Sequence, residues 1–222
     1  MKNALRLLLI SVHLGFAGMA QAMMIYDNGA ALNTAVFSDP NTPQFIADNF
    51  SLSPGSNQIT GIRWRGVYAS ADPVVPDNFI VQFFADEAGV PSLSPFISLF
   101  IGALSRTDTG KVLFSDSVFS YSATIAPIAL TPNTTYWLSI VNDTSSQLNA
   151  DWAWAGQLFD FGGGSIGSRT GADFPWSVSS SFAQDFTLSN AQAIPELPSI
   201  VLLCLGFLSL LRYLNARVTT KG

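Results

Sequence analysis

Cysteine and histidine are almost absent from this sequence. The single cysteine, Cys204, and the single histidine, His13, both lie near the ends of the chain. The long middle segment, residues 23–193, therefore cannot form a disulfide, and it has no thiol or imidazole for nucleophilic catalysis, for a His-based triad or for an ordinary zinc site. We expect this segment to fold on its own hydrophobic core, without a metal or a cofactor.

Basic residues are also scarce in the middle segment, which has five of them against fourteen acidic residues. Nucleic acid is not an expected partner, because phosphate binding needs clustered lysine and arginine. Hydrophobic residues make up 48% of the whole chain and charged residues only 11%, so apolar side chains suffice for a core. The length between the two ends suits one ordinary domain rather than two.

No stretch of the middle segment keeps the 3.6-residue apolar period of a helix for long. Short apolar or alternating runs lie instead between turn-forming clusters, which is typical of strands. Ile62, Trp64 and Tyr68, for example, fall on one face because side chains alternate along a strand. The pattern predicts an all-β fold, an antiparallel β-sandwich of jelly-roll type. The predicted strands cover residues 45–52, 58–68, 78–85, 96–104, 117–125, 135–141, 151–155 and 181–188.

The N-terminus has the pattern of a secretory signal peptide. Lys2 and Arg6 precede an apolar run, residues 7–19, which ends on Ala20-Gln21-Ala22. Small residues at Ala20 and Ala22 indicate a cleavage site after Ala22. We predict that residues 1–22 are removed on export and that residues 23–193 form an extracytoplasmic domain. The alternative is that the first segment stays as an uncleaved membrane anchor.

The C-terminal segment, residues 194–222, has a second addressing pattern. It holds prolines with a glutamate, then an apolar stretch, then basic residues: Pro195-Glu196, Pro198, residues 200–211, Arg212, Arg217 and Lys221.

This tail is a marginal membrane span. As a helix, residues 197–214 would be about 27 Å long, slightly less than the roughly 30 Å hydrocarbon core of a bilayer. Basic residues follow the apolar stretch and none stands just before it, which predicts a cytoplasmic C-terminus with the domain outside the membrane. We expect the transmembrane helix to anchor the chain in the membrane before any processing.

The order of features in the tail resembles the PEP-CTERM sorting signal of Gram-negative bacteria. Pro195-Glu196 corresponds to the Pro-Glu core of that motif, but Leu197 stands where the family usually has a proline, and Pro198 follows one position later. The resemblance implies recognition by an exosortase, a membrane protease-transpeptidase, and export linked to extracellular polysaccharide and biofilm. It implies that the sorting residues are Pro195, Glu196, Pro198, Arg212 and Arg217. The alternative is a plain tail anchor.

Carboxylates are the catalytic groups that remain in the middle segment. Asp86 with Glu87, Asp143, Asp151 and Asp160 are the candidates for a glycoside hydrolase, in which two acids stand about 5–10 Å apart. The sequence pairs none of them. We therefore predict that the chain is not an enzyme.

Two features point to a ligand. Trp152 and Trp154 share one face of a predicted strand, where exposed indoles would form a platform for a sugar, although such pairs are more often core. Loops 72–77 and 142–144 are rich in oxygen ligands for calcium, but they lack EF-hand spacing, and Asn and Asp are also ordinary turn residues.

The predicted function is a structural or adhesive protein of the cell surface or extracellular matrix, associated with polysaccharide and sorted by an exosortase. The alternative is a carbohydrate-binding module that uses surface tryptophan and aspartate side chains, with or without weak glycoside hydrolase activity.

Overall fold

The computed structural model describes residues 21–29, 32–69, 77–147, 150–158, 164–180 and 182–192. The chain divides into two compact units, Met1–Gln21 with Gln192–Gly222, and Ala22–Ala191. All but two of the described residues belong to the second unit. The predicted sorting residues, the predicted transmembrane helix and Ala20 lie outside the described residues, whereas Ala22 lies in the first strand.

The described residues form strands, turns and irregular segments. Across these ranges, no helix has the length and hydropathy that crossing a membrane requires. The strands are β1 (Gln21–Asp27), β2 (Thr34–Phe37), β3 (Phe45–Ser51), β4 (Gln58–Ala69), β5 (Phe79–Glu87), β6 (Val90–Pro91), β7 (Ile97–Gly102), β8 (Thr107–Leu113), β9 (Asp116–Ala129), β10 (Thr135–Asn142), β11 (Asp151–Leu158), β12 (Ile166–Arg169), β13 (Ser177–Ser179), β14 (Phe182–Gln184) and β15 (Phe186–Gln192).

Two antiparallel sheets carry these strands. Sheet I has the order β1, β15, β4, β11, β14, with β2 beside β11, and with β9 and then β8 beyond β4. Sheet II has the order β13, β12, β3, β10, β5, β6, and β7 also pairs with β5. The chain crosses from one sheet to the other at most connections, for example from β3 to β4 and from β10 to β11. The predicted all-β, antiparallel sandwich is confirmed.

An aromatic core fills the space between the sheets. Trp64 of β4, Phe79 of β5 and Trp152 of β11 are fully buried. The ring centroids of Trp64 and Phe79 are 5.0 Å apart, those of Phe79 and Trp152 are 5.3 Å apart, and both pairs meet edge to face. Burying one such side chain contributes about 1.5–3 kcal/mol, so this core stabilises the domain without a disulfide.

The outer face of each sheet also holds a small apolar cluster. Val67, which alternates with the core-facing residues of β4, packs with Val118 and Ala153 on the outer face of sheet I. On sheet II, Phe84 and Trp137 are buried beneath Trp176. The loop that contains Trp176 therefore covers part of sheet II, and the site described below lies beside this loop.

Candidate functional site

Asp86 and Glu87, two of the candidate acids, lie at the end of β5. Asp86 accepts a hydrogen bond from the indole Nε1 of Trp137 at 2.8 Å and another from the backbone N of Gly89 at 3.1 Å. Glu87 is exposed. Asp86 therefore orients a buried tryptophan and closes the turn between β5 and β6, which is a structural role.

Two of the other candidate acids, Asp143 and Asp151, have hydrogen-bond partners of their own. Asp143 accepts a hydrogen bond from the backbone N of Ser145 at 3.0 Å, which closes a local turn. Asp151 accepts one from Nδ2 of Asn41 at 2.6 Å. Asp160 lies outside the described residues. The hydrogen bonds of Asp86, Asp143 and Asp151 thus go to backbone amides, an indole and an amide side chain.

A buried carboxylate that the sequence did not single out, Asp39, connects three parts of the chain. It accepts hydrogen bonds from the backbone N of Trp152 at 2.9 Å, from the backbone N of Asn41 at 2.9 Å, and from both the backbone N and the hydroxyl of Thr144. Asp39 is fully buried. Because backbone N–H groups stabilise a carboxylate directly, Asp39 fixes the loop after β10 against the start of β11.

The loops with candidate calcium ligands contribute to a second buried network. Asp77 accepts a hydrogen bond from the Tyr68 hydroxyl, and Nδ2 of Asn142 donates to Oδ1 of Asp77 at 3.1 Å and to the Tyr68 hydroxyl at 2.8 Å. Nε of Arg106 lies 3.2 Å from Oδ2 of Asp77. Burial raises the pKa of Asp77, and the charge of Arg106 and the hydrogen bond from Asn142 offset this only in part.

In this network the side chains of Asp77 and Asn142 hydrogen-bond each other instead of binding a calcium ion. Arg106 supplies the positive charge beside Asp77. Among the described residues, no group of three or more His, Cys, Asp or Glu side chains is placed to hold a metal ion. Asp72, at the other end of the first candidate loop, lies outside the described residues.

Trp152 and Trp154 are fully buried, and so is Trp64. Nε1 of Trp154 donates to the backbone carbonyl of Asp185 at 2.9 Å. The interpretation of this pair as core is confirmed. The two indoles present no face on which a sugar could stack, so the alternative that placed a sugar platform at Trp152 and Trp154 is wrong for these residues.

A cleft of about 420 Å³ lies where the N-terminal end of β3 meets β12. We call it the Arg169 cleft. Its wall combines hydroxyl and amide side chains with an exposed aromatic ring: Thr42, Gln44, Ser168, Thr170, Ser177 and Phe174. Phe174 is 58% exposed. Sequence analysis did not predict this cleft, because its walls come from two segments more than a hundred residues apart.

Arg169 also lines the cleft and is itself buried. Its guanidinium stacks on Trp176 at 4.2 Å from the ring centroid and lies 5.4 Å from that of Phe84. Nη1 donates to the backbone carbonyls of Leu93 at 2.9 Å and Ala172 at 2.6 Å. Burial lowers the pKa of Arg169 from its ordinary value, and the charge of Asp173 acts in the opposite direction.

These contacts join two surface loops to the outer face of sheet II. Arg169 bonds both the loop at Leu93 and the loop at Ala172, and Nε1 of Trp176 donates to the carbonyl of Ser92 at 3.2 Å. The guanidinium therefore fixes the position of the loop that carries Phe174. The cleft has a preformed wall rather than one that must order on binding.

No protein-family model matches the chain, and no curated protein matches it significantly. Among solved structures, the chain is similar to the cysteine protease and lectin-like domains of Cwp84, a surface layer associated protein of Clostridium difficile, at 11% identity and a TM-score of 0.43. The alignment covers 68% of this chain and 33% of that one, so the chain spans about a third of that structure. A likeness at this level carries no conclusion about function.

Proposed function

We propose that this chain is an exported, non-catalytic β-sandwich protein that serves a structural or adhesive role at the cell surface or in a polysaccharide matrix. The observation that carries the proposal is the order of addressing segments around one domain: a signal peptide, then the sandwich, then Pro195-Glu196 before an apolar stretch and basic residues. An exosortase-type protease would act on the tail, and the domain would be the part displayed.

The contacts of the candidate acids support a non-catalytic role. Asp86 and Asp151 are engaged by Trp137 and Asn41, and Asp39 and Asp77 take part in buried networks that join strands. A carboxylate that transfers protons in catalysis must reach a substrate. These four instead stabilise the fold.

Processing of the two ends tests the proposal. N-terminal sequencing of exported protein should give Met23 as the first residue, and a mature chain that retains His13 would contradict export through a cleaved signal peptide. In a host that has an exosortase, the double variant Pro195→Ala/Glu196→Ala should accumulate as a full-length, membrane-bound form. A matched control, Ser199→Ala, changes a neighbouring position outside the motif and should be processed normally.

Processing of the double alanine variant at the parental rate would rule out exosortase sorting. The tail would then be a plain anchor. Under either outcome, a chain that ends at residue 193 should be released from the membrane. That release would show that the tail is what holds the protein in the membrane.

A second function, carbohydrate binding, is favoured by the Arg169 cleft. Sugar-binding sites combine hydrogen-bonding side chains with an aromatic face, and the cleft offers both, with Phe174 as the aromatic group. On this proposal the exported domain binds polysaccharide through the cleft rather than through tryptophan.

Glycan-array binding of the exported protein tests this second function. Phe174→Ala should abolish binding, because the ring supplies the stacking surface. The matched control is Phe114→Ala, which removes another exposed phenylalanine, 69% exposed, from the turn between β8 and β9. Equal loss of binding in both variants, or no binding by the parent, would contradict a glycan site in the cleft.

A further inference from the structure

Arg169 of β12 is a buried cation that has no carboxylate bound to it. Among the described residues, ion pairs join Arg65 to Asp185 and Arg106 to Asp77, and none includes Arg169. The two paired arginine side chains are partly exposed to water, whereas Arg169 is only 5% exposed. Burying a charge costs free energy unless an opposite charge or strong hydrogen bonds compensate it. The most buried of these three arginines is therefore the one without a counter-charge.

The fold uses only part of the Arg169 guanidinium. Nη1 donates to the carbonyls of Leu93 and Ala172, whereas Nε is buried and has no hydrogen-bond partner among the described residues. Arg65 shows what this group can do, because its Nε and Nη2 together bind the carboxylate of Asp185. In Arg169 the corresponding Nε remains available to an acceptor. A guanidinium edge of this kind matches the two oxygens of a carboxylate.

Asp173 compensates the charge of Arg169 only in part. Its negative charge raises the pKa of Arg169, but burial lowers that pKa by more, and these two described side chains form no ion pair. Asp173 is exposed, so water and salt screen its charge. The cleft that Arg169 lines therefore keeps a positive potential, which an anionic ligand would meet.

The wall of the Arg169 cleft adds hydrogen-bond donors to this charge. The hydroxyls of Ser168, Thr170 and Ser177 and the amide of Gln44 line it. Hydroxyl and amide groups donate to a carboxylate as well as to the oxygens of a neutral sugar. At about 420 Å³ the cleft can hold a short stretch of a sugar chain. A charge acts over several ångströms, so an anion in the cleft is attracted by Arg169 before it touches the guanidinium.

We propose that the Arg169 cleft binds an acidic sugar, a uronic acid residue of a polysaccharide, whose carboxylate is held by Arg169. The ring of the sugar packs on Phe174. This inference rests on the second proposed function, carbohydrate binding, and specifies the class of sugar. A uronic acid fits because its planar carboxylate matches the planar guanidinium, and its hydroxyl groups match the polar wall.

The charge of the rest of the domain would direct an acidic chain to this place. Residues 23–193 have fourteen acidic residues against five basic ones, so most of the surface repels an anionic polysaccharide. Arg169 is the basic residue that lines the cleft. Binding of an acidic sugar should therefore depend on the balance of charge at the cleft.

Calorimetric titration of the full chain in non-ionic detergent, with trigalacturonate and with its methyl ester, tests the proposal. The two ligands have the same sugar rings, and the ester lacks the negative charges. The free acid should bind more tightly by at least about tenfold. Raising the salt concentration should narrow this difference, because dissolved ions screen the attraction.

Two substitutions change the charge of the cleft and leave in place Arg169, whose loss would release two loops. Asp173→Asn removes the competing carboxylate and should tighten binding of the free acid by about two- to fivefold. Ser177→Asp adds a carboxylate to the cleft wall and should weaken it by at least about the same factor. The matched control Ser122→Asp adds the same charge at an exposed position of β9, in sheet I, and should leave the affinity unchanged.

Thermal melting checks that the three variants fold as the parent does. Equal affinities for the acid and the ester would overturn the acidic-sugar inference and leave carbohydrate binding intact. Equal weakening by Ser177→Asp and Ser122→Asp would also overturn it, because attraction to the basic ends of the chain would give that result. If the glycan array shows no binding of any sugar, the second proposed function fails as well.

Discussion

Arg65 and Asp185 form a two-point ion pair at the place where β4 changes its partner strand. Nε of Arg65 donates to Oδ2 of Asp185 at 2.6 Å, and Nη2 donates to Oδ1. β4 pairs with β15 as far as Trp64 and with β11 from Gly66 onward. The backbone N of Asp185 donates to the carbonyl of Ala155 at 2.9 Å. The pair therefore joins three strands at the split in sheet I.

Asp185→Asn should lower the free energy of unfolding by about 1–3 kcal/mol, between the values typical of exposed and of buried pairs. Asp185 is nearly buried and Arg65 is partly exposed, with side-chain exposures of 8% and 22%. Urea denaturation measures the change. Glu87→Gln removes the same charge from an exposed site and should be nearly neutral; an equal effect of the two substitutions would show that the ion pair contributes nothing.

Gly66→Ala should destabilise the domain by about 1–3 kcal/mol, because a Cβ at Gly66 would lie 2.5 Å from the ring of Trp152. In a Trp152→Leu background the same substitution should cost much less, since the smaller side chain leaves room. A double-mutant cycle by urea denaturation gives the coupling between the two positions. Additive effects would show that the indole does not set the requirement for glycine.

Asp77 should make the domain less stable as the pH rises. Burial raises the pKa of Asp77 in the folded chain, so between its ordinary value of about 3.9 and that raised value the folded state binds more protons than the unfolded state. Stability from this residue is therefore present at low pH and is lost as the pH rises through that window. Across this window, the free energy of unfolding of the parent should fall relative to that of Asp77→Asn. Urea denaturation at several pH values measures the two free energies. A difference that stays constant with pH would mean that the pKa of Asp77 is not raised.

Chelation of divalent cations should leave the melting temperature of the protein unchanged. Asp77 and Asn142, one from each candidate loop, hydrogen-bond each other, and Arg106 already supplies a positive charge beside Asp77. Calorimetry with and without a chelator measures this. A fall of tens of degrees would reveal a structural calcium ion.

The sequence predicted strands where apolar residues alternate or run together. The predicted strands at 45–52 and 135–141 differ from β3 and β10 by one residue at one end, because buried side chains follow each other along both. β8 was not predicted, since most of its residues are exposed and its pattern is polar. β12 was not predicted either, because it has only four residues and one of them is a glycine. Gly167 is needed because a Cβ at this position would lie 3.0 Å from Pro91.

The buried polar networks were beyond sequence reasoning for a different reason. Asp39 bonds Thr144 and Trp152, which are more than a hundred residues away along the chain. An Asp-Pro-Asn sequence is indistinguishable from an ordinary turn until the fold brings these partners together. The burial of Trp152 and Trp154 was predicted, because two large apolar side chains on one face of a strand suit a sheet interior.

The position of β14 and β15 within sheet I has a consequence for how the chain folds. These strands are the last of the described chain, yet β15 pairs with β4 and β14 pairs with β11. In a chain that emerges N-terminus first, residues 61–64 of β4 and 156–158 of β11 therefore lack these partner strands until residues 182–189 arrive. Contacts across such a long sequence separation form slowly. Sheet I is therefore completed only when the last described strands have paired.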